Sequence, residues 1–515
     1  MDAAAELQQD LRDGQIDVDR FVDRLNAAHR ELGSRLDEQS QEIVGLKKRI
    51  AELEQEIAKL HAKLGTSPTV RIDQPFSIKA EEKRQEARGR KKRKESKKRR
   101  RGRIASEEKL KRAQEIKDVY PEGIDPDLCK FSHVRVVWRL QQGVATLIGY
   151  RIFRGPKKQY GIIPGVLGRS EFGLEIVVTL AYLIYVTGLS FDKACMVMNF
   201  LQNVQMSKSQ ADSLLHQLSR HWETEFEVLC TLLANSLVVH TDETSWSINS
   251  VWAFLSEKAR LLFFGVHKDA GTLKEILDPE LFAGLVFSDD AAVYASFTNS
   301  QKCWAHLLRK AIKLTLQDPQ NVDYRAFTDR LLEIYREATR ILHDKRLSDA
   351  GRMRKVEALI DETLDLSCPV LLEDPAAKGL AHDRRLLAME IIRLALKKEL
   401  FEFVLAKPAE QPNGASLPLN GTNNEAERTL RDPALARKTG RTSKTPRGAR
   451  RTSILKSVLE SLRLYVAKYT LPQVIEEIQR WQQTGKSCFR ALLEKLHLIQ
   501  PKHSVLDHIY AAPDG

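Results

Sequence analysis

The sequence holds no Cys-x-x-Cys pair. Its six cysteines, Cys129, Cys195, Cys230, Cys303, Cys368 and Cys488, are scattered over 515 residues. That scatter excludes a disulfide framework and a zinc ribbon and leaves buried thiols as the expectation. There is no apolar run of the roughly 18 residues that a membrane-spanning helix needs. The longest, residues 176–186, contains Thr179 and is expected as a buried helix. The first ten residues are acidic and polar, unlike a secretory leader, so a cytoplasmic compartment is expected. No internal repeat is visible.

What is present is length, apolar content and one dense block of charge. A chain of 515 residues with 42% hydrophobic residues has material for several domains with sizeable cores. The net charge of +13 is uneven: residues 83–103 hold 14 Lys/Arg against Glu86 and Glu95, and the remainder is close to neutral. A local basic arm of this kind contacts nucleic acid or lies in solvent, and with no membrane anchor nucleic acid is the expected partner.

Ahead of the arm, residues 25–64 repeat in heptads. The seam is Leu25, His29, Leu32, Leu36, Gln39, Ile43, Leu46, Ile50, Leu53, Ile57, Leu60 and Leu64. Its steps of four and three never slip. Ile43, Ile50 and Ile57 at one position with Leu46, Leu53 and Leu60 at the other favour a parallel two-stranded coil. An amphipathic helix packed on its own chain is the alternative, but so narrow a seam suits a coil better. The expected organisation is a dimerising coil over 20–66 and a basic arm and linker over 67–118, with a helix from 106 to 118. A small β region follows over 119–168, with strands at 134–140, 145–153 and 160–164.

Residues 169–234 are expected to be helical. Runs at 190–200 and 207–222 form a possible helix-turn-helix, with Ser207 a plausible N-cap. After Asn235 the pattern changes to strands at 237–240, 251–256, 261–267, 285–288 and 302–304, with a short helix at 272–277 and a longer one at 305–316. Three adjacent strands followed by alternating helix and strand predict an α/β sheet with an antiparallel meander on one side. That core spans 235–316 and resumes over 416–469. A helical insertion over 317–415 contains long helices at 324–343 and 381–406, and 470–515 is a helical tail. A helix over 424–431 and a second basic loop over 438–451, with six Lys/Arg and no acid, precede an amphipathic helix over 453–469.

Two acids sit at strand ends of this core, Asp242 after 237–240 and Asp289 after 285–288, where rigid strands meet open loops. A third, Glu427, lies beside the second basic segment. Three carboxylates suit a hydrolytic magnesium site, because Mg²⁺ prefers hard oxygen ligands and two such ions serve phosphoryl transfer. Each acid has a plainer alternative. Asp242 or Asp289 alone serves a turn, Glu427 three residues after Asn424 suits a capping box, and Asp290 and Glu425 compete for the same roles.

Four motifs in order resemble those of the insertion sequence 66 family of bacterial transposases. They are His240-Thr241-Asp242-Glu243-Thr244, Asp289 with Tyr294, Cys303-Trp304-Ala305-His306, and Asn423-Asn424-Glu425-Ala426-Glu427-Arg428. The loop from Lys438 to Gly448-Ala449, the helix after it and the N-terminal coil match as well. The likeness implies a DDE triad of Asp242, Asp289 and Glu427, which decides against Asp290 and Glu425. It implies an RNase H-like core, Mg²⁺ or Mn²⁺ as cofactor, with two ions, and double-stranded DNA, both element ends and target, as partner. The implied reaction is nicking at element ends followed by attack of the freed 3′-OH on target DNA. Arg428, Lys438, Arg441 and Lys444, with Arg99, Arg100 and Arg101 of the arm, are the candidate DNA contacts. A homodimer or higher assembly through the coil, accessory proteins of the same element and a bacterial, nucleoid-associated location complete the expectation, with no membrane.

Two departures stand out. The family's cysteine-rich segment after the arm is reduced here to Cys129, so no zinc is expected. Asp290 stands where Gly is usual, and its carboxylate threatens to perturb the metal site. Trp304 and His306 are read as structural rather than catalytic, since each has an obvious core role. The competing functions are a catalytically inactive, transposase-derived DNA-binding protein, which both departures favour, and an RNase H-fold nuclease or resolvase.

Overall fold

The computed structural model describes residues 106–373 and 378–510, together with scattered helical positions between 23 and 55. The coil seam and the basic block, with Arg99, Arg100 and Arg101, lie outside the described residues. The chain divides into two units, Met1–Glu86 and Ala87–Gly515, and the following concerns the second.

It begins with helix α1 (Ser106–Lys111) and a three-stranded sheet of β1 (Glu115–Val119), β2 (Lys130–Gln141) and β3 (Val144–Arg154), in the order β1-β3-β2. The helix expected to reach 118 stops at Lys111. Glu115–Val119 instead pairs parallel to β3, and Asp118 holds Arg151 across the pair at 2.5 and 2.8 Å. Gln142 and Gly143, with φ of 49° and 83°, make the two-residue turn between β2 and β3, a geometry that favours glycine. The strand expected at 160–164 is only an isolated bridge from Tyr160 to Arg154.

The apolar run at 176–186 is buried as expected, in helix α2 (Leu174–Ala181) and a π-helical turn, Tyr182–Val186. The two expected helices after it are α3 (Phe191–Gln202), capped by Ser190, and α4 (Lys208–Ala234), whose Ser207 and Gln210 form a capping box. α4 is far longer than the 207–222 expected. Its second half buries Phe226, Val228, Leu229, Leu232 and Leu233 under a sheet, while Lys208, Ser209, Gln210, Asp212 and Ser213 at its start are exposed.

That sheet has five strands, β4 (Val238–Ser245), β5 (Ser250–Ser256), β6 (Arg260–Val266), β7 (Leu285–Ser288) and β8 (Ser300–Lys302). Helix α5 (Ala270–Ile276) lies between β6 and β7. The order is β6-β5-β4-β7-β8, antiparallel through β6, β5 and β4 and parallel through β4, β7 and β8. One face carries Trp252, Phe254 and Phe263 onto α4, with Phe226 and Phe263 edge-to-face at 5.3 Å. The other carries Val251, Ala253, Leu262 and Phe264 towards Leu430 and Ala449.

Helix α6 (Trp304–Gln317) leads into the expected helical insertion: α7 (Val322–His343), α8 (Asp349–Leu371), α9 (Leu380–Leu396) and the short α10 (Glu402–Leu405). The single helix expected over 381–406 breaks at Lys398, whose φ of 60° is left-handed. The chain there turns back to the sheet: Lys302 N–H donates to Glu399 O at 2.7 Å, and Trp304 Nε1 to Leu400 O at 2.6 Å.

Helix α11 (Asn424–Lys438) runs through Pro433, seven residues past its expected end. Helix α12 (Pro446–Leu462) begins earlier and ends earlier than the 453–469 expected. Thr445 caps it, its Oγ1 accepting from Gly448 N at 3.1 Å with Pro446 at the first position. α12 closes the sheet's open edge. Ser461, Ser457 and Ser453 accept from the N–H groups of Arg260, Leu262 and Phe264 at 2.9, 2.8 and 2.9 Å. These donors of an edge strand would otherwise be buried without partners. Gly265 permits the close approach, since a Cβ there would lie 2.9 Å from that of Ala449. The last helices, α13 (Leu471–Thr484), α14 (Cys488–Lys495) and α15 (Val505–Ile509), fold back on α4: Arg490 holds Glu225 at 3.1 Å, and Glu227 accepts from Val505 and Leu506 N–H. No described helix is long and apolar enough to cross a membrane.

Candidate active site

The parallel pairing of β4 with β7 matches Val239 to Val286 and His240 to Phe287. Asp242 lies two residues further along β4 and Asp289 directly follows the end of β7, near enough for the charge of Asp289 to act on Asp242. Asp242 is inside β4 rather than beyond its end. β4 continues to Ser245 because β5 still pairs with it there, Asp242 opposite Ala253, while the pairing with β7 stops at His240. The β4 edge is therefore open where the carboxylate emerges. His240 beneath it is fully buried and stacks on Phe287 at 4.3 Å. Burial pushes its pKa down to about 4, so it is neutral.

Glu427 arrives on the first turn of α11, and Asn423 positions that helix. Asn423 is buried, its Nδ2 donates to Thr241 O at 2.7 Å and its N–H donates to Cys303 Sγ at 3.2 Å. One residue thus joins β4, α6 and α11. Glu427 does not serve as a cap. Its carboxylate accepts from Arg309 at 3.0 and 3.3 Å and lies 3.6 Å from His306 Nε2. The rival acids are engaged elsewhere: Glu425 pairs with Arg428 at 2.9 Å, and Asp290 pairs with Arg393 of the insertion.

Burial, first, and then the charges of Glu243, Asp289 and Glu427 push the Asp242 pKa up to about 7. Among the described residues no cation touches the Asp242 or Asp289 carboxylate; each accepts a backbone N–H, from Glu243 at 2.9 Å and Ala291 at 3.0 Å. An oxygen-only pair with no cation in contact fits a hard divalent cation. Glu427 is near enough to be felt electrostatically, but the three carboxylates do not come within 4.8 Å of one another. The ligand atoms that do are those of Cys303, His306 and Glu427.

Four cations and a tyrosine frame the pair. Glu243, on the opposite face from Asp242, is held by Tyr294 and by Lys268 at 2.5 Å. This explains the tyrosine five residues after Asp289: its hydroxyl ties the loop after β7 to β4. Lys302 is buried beneath, donating to Ser288 Oγ at 3.0 Å, and burial lowers its pKa. A cleft of about 700 Å³ opens beside Asp289, and α9 supplies one wall with Met389, Glu390 and Arg393. Lys310 faces that wall, paired with Glu390 at 2.5 Å.

The Transposase IS66 family model matches residues 169–451, just over half of the chain. The chain belongs to the IS66 transposase family. No curated protein matches it. The matched span of this IS66 chain runs from the start of the helices before the sheet to the first turns of α12, and so contains all three acids and the insertion.

The second basic segment of the IS66 chain differs from the loop expected. Lys438 ends α11 and Pro446–Arg451 is already helical. Arg447 contacts His216, Arg450 pairs with Asp507 at 2.8 Å, and Arg451 with Asp212 at 2.7 Å, so these three tie α12 to neighbouring elements. Arg441 donates to Gly188 O at 2.5 Å. Lys438 and Lys444 have no carboxylate partner among the described residues, and Arg428 is exposed. Sequence reasoning missed Lys268, Arg309, Lys310 and Arg393. Arg309 and Lys310 carried a signal: they lie three and four residues after His306, on the same helical face.

Proposed function

We propose that this chain is a metal-dependent DNA transposase that cleaves strands at element ends and joins them to target DNA, using Asp242, Asp289 and Glu427. The observation that carries the proposal is the β4–β7 pairing, which brings Asp242 and Asp289 to the same end of two adjacent strands, with Asp289 and Glu427 within electrostatic reach of Asp242. The order β6-β5-β4-β7-β8, an antiparallel meander joined to parallel strands, supports an RNase H-like core. Asp242 and Asp289 would hold magnesium or manganese, and Glu427 would join them by leaving Arg309. When bound, such ions activate the attacking oxygen and stabilise the leaving one. Asn423 keeps the helix bearing Glu427 against β4. Arg428, Lys438 and Lys444 supply cations for phosphates on the α11 side, as do Arg99, Arg100 and Arg101 on the arm. The heptads over 20–66 pair two chains, so that two element ends are held together.

A strand-transfer assay with end-containing DNA and Mg²⁺ or Mn²⁺ tests the proposal. Asp242→Ala is expected to remove cleavage and joining while DNA binding persists; full activity in that variant overturns it. One observation favours a second reading, a transposase-derived protein that binds DNA without cutting it: the Glu427 carboxylate is occupied by Arg309 and His306. Metal-independent binding with no cleavage by the wild-type chain would decide for it.

A further inference from the structure

We propose that Cys303, His306 and Glu427 form a binding site for a thiophilic divalent cation of the zinc class, separate from the aspartate pair. The three side chains bring their ligand atoms within 4.8 Å of one another. Cys303 is the N-cap of α6 and His306 follows three residues later, one turn on, so both point to the same side of the helix. Glu427 meets them from the first turn of α11.

The site is built rather than accidental. Cys303 N–H donates to Ser288 O at 3.0 Å, fixing the thiol to the end of β7, and Cys303 Sγ accepts from Asn423 N–H at 3.2 Å, fixing α11 to the same point. A second observation does not depend on those distances. His306 Nδ1 is buried with no hydrogen-bond partner among the described residues, a costly state for an imidazole nitrogen unless something else satisfies the ring.

The donor set decides the metal class. One sulfur, one imidazole nitrogen and one carboxylate oxygen suit zinc, which takes three protein ligands and leaves a fourth position for water. Magnesium takes oxygen ligands and does not favour sulfur. Access matches this arrangement: Cys303 lies buried at the back, while His306 and Glu427 keep 38% and 24% of their side chains exposed at the front. Arg309, itself half exposed, now holds Glu427 and must swing aside for the ion to enter.

A functional consequence rests on the transposase reading. Zinc held beside Cys303 takes up the Glu427 carboxylate that would otherwise turn to the aspartates, so zinc binding is expected to inhibit magnesium-dependent cleavage.

The test uses the full chain in excess Mg²⁺ without DNA, titrated with Zn²⁺ against a chromophoric chelator. One zinc per chain is expected to resist magnesium. Cys303→Ser and Glu427→Gln are each expected to weaken it at least about tenfold, and Arg309→Ala to tighten it. Because Cys303 is buried and its replacement could impair folding, Co²⁺ is titrated into the wild-type chain as well, where a sulfur-to-cobalt charge-transfer band is expected. No retained zinc, unchanged affinity in a folded Cys303→Ser, or no such band overturns the site. Asp242→Ala should bind zinc like the wild type. If that variant cuts DNA normally, the transposase reading fails while the zinc site stands.

Discussion

The acids of the candidate site are held in two different ways. Asp242 lies within β4 and Asp289 directly follows β7, so backbone pairing between Val238–His240 and Leu285–Phe287 anchors both near one end of the sheet. Glu427 rides on a helix tied to the sheet by the side chain and N–H of Asn423, and its own carboxylate rests on Arg309 and His306. A ligand on a strand is placed when the sheet forms. A ligand on a clamped helix needs a further rotation, and that rotation is where metal, DNA or a competing cation acts.

Variants at the two kinds of position should separate them. The largest effect is expected at the clamp. Asn423→Ala leaves Thr241 O without its buried donor and should cost about 1–3 kcal/mol of unfolding free energy, measured in urea. The same variant should lose cleavage on the order of 10²-fold as Glu427 drifts, since misplacement of about 1 Å can cost that much. Next, in EDTA, Asp242→Asn removes a buried charge that Glu243, Asp289 and Glu427 repel, and should raise the melting temperature. Glu427→Gln under the same conditions gives up only a part-exposed ion pair, worth about 0–1 kcal/mol, and should hardly move it. Equal shifts in the two would break the comparison.

The smallest effect lies away from the site and calibrates it. Burial raises the Glu477 pKa, but hydrogen bonds from Arg480, Trp481 and Cys488 together hold it below the usual 4.5. The folded value is the depressed one, so this carboxylate stabilises the chain above that pH and the contribution fades as the pH falls below it. Glu477→Gln should therefore flatten the acid limb of a melting-temperature profile and leave cleavage near neutral pH unchanged. A loss of cleavage there would mean the tail communicates with the aspartates.

The strands were legible where apolar runs had clear limits. Leu285–Ser288 is the strand its four residues suggest. β4 extends past its apolar part because β5 supplies partners to Asp242, Glu243 and Thr244, and such pairing leaves no trace in local hydropathy. β1 was hidden because Glu115–Val119 is charged and pairs with residues some thirty positions away. The start of α12 is marked by Thr445-Pro446, but its apolar stripe begins only at Ile454, two turns further on. The three acids could be named from motifs, but the Arg309 and His306 contacts to Glu427, and Arg393 on Asp290, join distant segments that no spacing rule connects. The same holds for the arginines of the second basic segment, which read as free charge and turn out to tie α12 to α4 and α15.

The serines of α12 act on the β6 edge as a vernier. Steps of four residues advance about 6.0 Å along a helix, and steps of two advance about 6.6 Å along a strand. Parallel axes would make each rung slip by roughly 0.6 Å, yet the three bonds keep 2.9, 2.8 and 2.9 Å, so the helix and the strand absorb the mismatch between them. The array admits Ser453, Ser457 and Ser461 in one alignment only, and sliding α12 by a single residue would break all three rungs together.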